Sequence, residues 1–147
     1  MPSFKFPYSE WSLDITPAFP EGQTVFRPIV GAKLRNESKE TDAFFGLVDT
    51  GADYCMFPSE FLESLGLNKD KLPSGTASGV ATDRTIRFAT ITLEIDQLGL
   101  LRVYAGFSDN LNGQGLGMLG HVGFLDRFRL TSDPQSRVFE LEELPNV

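Results

Sequence analysis

The 147-residue chain has one cysteine, Cys55, and one histidine, His121. A single cysteine excludes an internal disulfide and fits a reducing compartment. One residue of each kind also argues against a transition-metal site built from Cys and His ligands. Basic residues are few: 13 Lys and Arg stand against 20 Asp and Glu, giving a formal net charge of −7. They are scattered rather than clustered, so the phosphate contacts of a nucleic-acid partner have no source. No apolar run is long enough to cross a bilayer, and Met1 to Phe19 carries charges and three prolines where a signal peptide would be apolar. A soluble, cytoplasmic protein without a membrane partner is the expectation.

What is present suits one folded domain. Hydrophobic residues make up 41% of the chain and include 13 phenylalanines, enough for a core at this length. Met1 to Gly22 is rich in proline and aromatics without periodicity and reads as an extended arm (1–22), leaving 23–147 as the domain. Val25 to Leu34, Ala43 to Val48, Thr85 to Ile95, Leu101 to Phe107, Leu116 to Leu119, Arg129 to Thr131 and Arg137 to Leu141 read as strands. Ser59 to Leu65 reads as a short helix with Ser59 as its cap and Gly66 as its stop, and Val122 to Phe128 as a second. In Thr85 to Ile95 the apolar parity changes: Ile91, Leu93 and Ile95 alternate, but Ile86 and Phe88 fall on the other phase, as in a hairpin that leaves the body. The fold class is therefore all-β.

The chemistry concentrates at Asp49-Thr50-Gly51, directly after an apolar strand. A strand end holds the carboxylate, threonine can bond locally, and glycine lets another backbone approach. Such a loop supplies one carboxylate, so hydrolysis by two carboxylates sharing a proton needs a second chain. On its own the tripeptide is equally compatible with an Asp49 that merely caps a turn.

Phe44 to Pro58, FFGLVDTGADYCMFP, resembles the active-site strand and loop of the retropepsins, the retroviral protease family. Arg27-Pro28-Ile29-Val30 looks like that family's first body strand, Gly75 to Asp83 like its flap, and Met118-Leu119-Gly120 like its apolar-apolar-Gly element. The resemblance runs from Arg27 to Phe139. It implies an all-β, retropepsin-like closed barrel with a flap hairpin and one or two short helices, acting as a homodimer on a peptide or protein substrate. It implies an aspartic endopeptidase whose Asp49 residues form a dyad across the dimer, with Thr50 bracing the paired loops and Gly51 permitting their approach. Leu47, Ala52, Asp53, Ser78, Gly79, Val80 and Met118 would meet substrate. Arg27, across the dimer, and His121, within the subunit, would support the loop through Asp53. The Arg137 to Glu142 strand would join the dimer interface, with Phe139 and Leu141 facing inward. No metal or organic cofactor is called for. His121 departs from the family's usual arginine, and Thr76-Ala77-Ser78-Gly79-Val80-Ala81-Thr82 has less glycine than viral flaps.

Blander roles are expected elsewhere. The phenylalanines and Trp11 suit core or interface, Cys55 a small core position, and Glu140, Glu142 and Glu143 a solvated face. The competing function on this fold is a non-catalytic dimerisation or peptide-binding module.

Overall fold

The computed structural model describes residues 2–77 and 84–145. Its strands are β1 (Ser3–Pro7), β2 (Ser9–Leu13), β3 (Gln23–Arg27), β4 (Ile29–Asn36), β5 (Lys39–Glu40), β6 (Phe44–Val48), β7 (Met56–Pro58), β8 (Ser74–Ala77), β9 (Arg84–Ile95), β10 (Gly99–Ser108), β11 (Leu116–Leu119), β12 (Phe128–Asp133) and β13 (Val138–Glu143), with one helix, α1 (Phe61–Ser64). Strands β4, β6, β11, β7, β10 and β9 follow one another in a sheet that the β4–β9 pairing closes into a barrel. The β6–β11 and β7–β10 pairs are parallel, the other barrel pairs antiparallel. The fold is all-β, built around this closed barrel. No helix among the described residues is long and apolar enough to cross a membrane.

Period-two alternation builds the barrel's interior. Leu34, Phe57, Leu93, Ala105 and Leu119 are fully inaccessible, and Ile91, Ile95, Val103 and Phe107 nearly so. Full burial of each such aliphatic or aromatic side chain contributes about 1.5–3 kcal/mol against the entropy of ordering the chain. The parity change in β9 has a local cause. Ile86 and Phe88 lie on the face opposite Ile91, where Gly106 leaves a gap that Tyr54 and these two side chains fill: a Cβ on Gly106 would meet Ile86 Cγ2 at 2.9 Å and Tyr54 Cε2 at 3.0 Å.

Some boundaries differ from those the sequence suggests. The apolar stretch Val25 to Leu34 is two strands, because Pro28 has no amide to donate and interrupts the ladder. Val122 to Phe128 forms only one 3₁₀ turn, Leu125–Arg127. Ser59 does not cap α1 with its side chain; the hydroxyl instead bonds Asp109, and Asn112 donates to it at 3.0 Å. The first 22 residues contain β1 and β2, both paired. β1 runs antiparallel to β13, with Phe6 opposite Phe139 and their rings stacked at 5.2 Å. Phe139 and Leu141 face inward and are buried, and β13 lies between β1 and β12, bonded on both edges. Within the described residues both edges of β13 are thus occupied by strands of its own chain.

Candidate active site

Asp49 follows β6 at the end of the barrel and is gripped from both sides. The Val48 amide donates to the Pro28 carbonyl at 2.9 Å, and the Asp49 amide donates to the Leu119 carbonyl at 3.0 Å. The chain then turns, with the Ala52 amide donating to the Asp49 carbonyl at 3.2 Å and the Gly51 amide donating to Asp49 Oδ1 at 2.9 Å. A Cβ on Gly51 would stand 3.3 Å from that oxygen, so glycine keeps the amide's approach unobstructed. The result is a half-buried carboxylate held in orientation by its own loop.

The segment after the turn lies against β11's exit. His121 and Val122 donate their amides to the Ala52 and Asp53 carbonyls, each at 2.9 Å. Gly120 makes this contact possible: a Cβ there would meet the Tyr54 carbonyl oxygen at 2.5 Å and that of Ala52 at 2.7 Å. The apolar-apolar-Gly element therefore serves as a backbone floor under the Asp49 loop.

An apolar row leads up to the loop. Leu47 pairs with Met118 and Met118 with Met56, in register across β6, β11 and β7, and all three are half-buried. In-register partners share a face, and Asp49 is two residues beyond Leu47, so the row and the carboxylate lie on the same side. Next to Met56 comes Gly106, then Phe88, whose ring lies 5.7 Å from those of Tyr54 and Tyr104. Met56 was not singled out from the sequence. Its signal is the alternation of Tyr54 and Met56 with buried Cys55 and Phe57.

The remaining expected site residues are dispersed. Thr50 and Asp53 are exposed and Ala52 half-buried. His121 reaches a different atom from the expected one: its Nε2 donates to the Thr50 carbonyl at 2.7 Å, and among the described residues Asp53 has no side-chain hydrogen bond or ion pair. Arg27 holds its guanidinium 5.1 Å above the Trp11 ring of its own chain. Ser78, Gly79 and Val80 lie outside the described residues. Cys55 is buried, and burial pushes its thiol up to about 11, which keeps it protonated and unreactive near neutrality. A cavity of about 440 Å³ lined by Ser59, Glu60, Leu62, Asn68 and Asp109 does not include Asp49.

The family model described as aspartyl protease matches residues 39–121, more than half of the chain and all of the Asp49 loop and its floor. The chain belongs to the aspartyl protease family. No curated protein matches it significantly. Among solved structures, the chain is similar to a retropepsin-like aspartic protease from Rickettsia conorii at 16% identity and a TM-score of 0.57, covering 96% of this chain and 95% of that one. It also matches the Simian Foamy Virus (mac) protease at 14% identity and a TM-score of 0.44, covering 65% of this chain and 90% of that one. At such identities the first likeness shows the fold.

Proposed function

We propose that the protein is an aspartic endopeptidase that cuts peptide bonds with an Asp49 dyad formed across a homodimer. The observation that carries this is the single Asp49 carboxylate, oriented by the Gly51 amide at the open end of the Leu47–Met118–Met56 row. One such loop per chain is half of a two-carboxylate site. Two carboxylates brought within hydrogen-bonding distance cannot both ionise readily, the behaviour known of aspartic-protease dyads. The ionised Asp49 takes a proton from water as its oxygen attacks the peptide carbonyl, and the protonated Asp49 polarises that carbonyl by donating to its oxygen. The C–N bond then breaks as the Asp49 that took the water's proton passes it to the departing nitrogen, a hydroxyl of the intermediate returns a proton to the other Asp49, and the two products leave. The half-buried apolar row suits substrate side chains of like character, and Ala52 and Asp53 flank the path of the substrate backbone. Thr50 braces the loop through its carbonyl, to which His121 donates.

A peptide-library digest at acidic and at neutral pH tests this, with Asp49→Asn as control. Cutting by the wild type alone is expected, with at least a thousandfold loss in the variant. Peptide binding without cutting would instead identify a binding module on the same fold, and equal cutting by both proteins would remove Asp49 from the chemistry.

A further inference from the structure

Two adjoining cavities open beside α1, and their walls sort charge by sign. The larger, of about 440 Å³, is walled by Glu60, Glu63 and Asp109, with Lys69 the one cation among its described lining residues. The smaller, of about 90 Å³, is walled by Lys69, Arg87 and Thr85, with Asp109 the one anion. Ser59, Leu62, Lys69 and Asp109 line both, so the two form one groove. Its base is apolar: Leu62 is buried and Phe107 nearly inaccessible. A groove of this volume, with an apolar base and a few polar groups on its walls, has the make-up of a small-molecule site.

Bonds across the groove fix its shape. The Ser59 amide donates to the Ser108 carbonyl at 3.0 Å, the Glu60 amide to Asn112 Oδ1 at 2.9 Å, and the Gly113 amide to Glu60 Oε1 at 2.8 Å. The Ser59 hydroxyl donates to Asp109 Oδ1 and accepts from Asn112 Nδ2 at 3.0 Å. The start of α1 is thereby tied to the turn after β10, and walls set in advance lower the cost of binding. Among the described residues, no hydrogen bond or ion pair takes up Glu60 Oε2, Asp109 Oδ2 or the Glu63 carboxylate. Nor does Lys69 or Arg87 form an ion pair there. Charges of both signs thus line one groove without neutralising each other, and a molecule carrying both, set the same way round, answers both ends at once.

We propose that this groove binds a short zwitterionic peptide, its carboxylate at Lys69 and Arg87 and its ammonium at Glu60, Glu63 and Asp109. The smaller cavity holds the volume of about three waters, enough for a carboxylate. The larger holds that of about fifteen, roughly the heavy atoms of a dipeptide, and lets an apolar side chain lie over Leu62 and half-buried Leu67. Arg87 fits its role because a planar guanidinium meets a carboxylate with two parallel bonds. No lining residue belongs to the Asp49 loop, so the site stands apart from the peptidase reading.

Amide NMR titration of the whole chain with the dipeptide Leu-Ala tests the proposal. Shifts should group at Glu60, Glu63, Lys69, Thr85 and Arg87 and saturate with a Kd of about 1 mM. N-acetyl-Leu-Ala lacks the ammonium and Leu-Ala amide lacks the carboxylate, and each should bind about two- to fivefold more weakly. Arg87→Gln, at a half-buried position, should weaken Leu-Ala about as much as amidation does while leaving the affinity for Leu-Ala amide nearly unchanged. If that variant folds poorly, the two capped dipeptides on wild type decide alone. Equal affinity for all three ligands, shifts confined to the Asp49 loop, or no saturable shift at all would overturn the site.

Discussion

The barrel and the β2–β3 ribbon use the same residue types under opposite conditions. In the barrel, Phe57 is inaccessible and meets Phe44 and Phe107, with ring centres 5.6 and 6.0 Å away. In the ribbon, Trp11 and Val25 face each other across a single strand pair and stay half-exposed. Among the described residues the first region is buried and the second is half-exposed. The Asp49 loop sits where they meet, fixed by Leu119 on the barrel side and by Pro28, the ribbon's root, on the other. The difference teaches that hydrophobic content alone does not locate a core: closure of the sheet decides which apolar faces are finished.

The sharpest test of that contrast is truncation on each side. Phe57→Ala empties a closed interior that cannot collapse around the gap, and should cost about 3–5 kcal/mol of stability. Trp11→Ala removes a larger side chain from an unfinished face and should cost a monomer no more than about 1 kcal/mol. Urea unfolding at concentrations low enough to hold the monomer reads both. Equal losses would mean that the ribbon is part of the core after all.

How far the sequence reveals this arrangement depends on the range of the interaction. Strand signals are local: alternation foretells β9 and β10, short apolar runs foretell β6 and β11, and the turn at Pro134 foretells the β12–β13 hairpin. The Asp-Thr-Gly loop and the glycine of Met118-Leu119-Gly120 are legible too, because each states a backbone need in the residue itself. The pairing of β1 with β13 is not legible, since Phe6 and Phe139 meet across nearly the whole chain length. Ser59 looks like a helix cap locally, and its diversion to Asp109 and Asn112 is visible only in three dimensions. The same holds for His121. The family resemblance implies Asp53 as its acceptor, and the Thr50 carbonyl is the one the ring meets.

A chemical test separates buried from exposed without changing the shape of the barrel. Burial raises the Cys55 thiol from 9.0 to about 11, so its neutral form is favoured in the folded state. The stability tied to that preference is complete below about pH 9 and drains away as pH rises through the folded value. Two units correspond to about 2–3 kcal/mol. Wild type should therefore lose about that much more than Cys55→Ala between roughly pH 8 and pH 11, when both are unfolded in urea at one concentration. Tyrosine and lysine titrate over the same range, but they do so in both proteins and cancel in the difference. Parallel pH profiles would show that the thiol is not sealed in the barrel.

The smallest effect probes the seam between the two regions, at His121. Its ring is exposed, so the bond to the Thr50 carbonyl is worth about 0.5–1.5 kcal/mol, with the lower end expected in contact with water. His121→Ala should lower stability by that amount and reduce cleavage by loosening the carbonyl next to Asp49. His121→Gln, which retains a side-chain N–H, should recover part of the loss. The identity of the acceptor is decided by combining His121→Ala with Asp53→Asn. If the ring serves Thr50, the two changes touch separate bonds and their unfolding free energies add within about 0.3–0.5 kcal/mol. If the ring serves Asp53, each change removes the same interaction, and the double variant is no less stable than the worse single one. Additivity places the loop's surface support on the backbone beside the Asp49 carboxylate; strong coupling would move it to the Asp53 side chain.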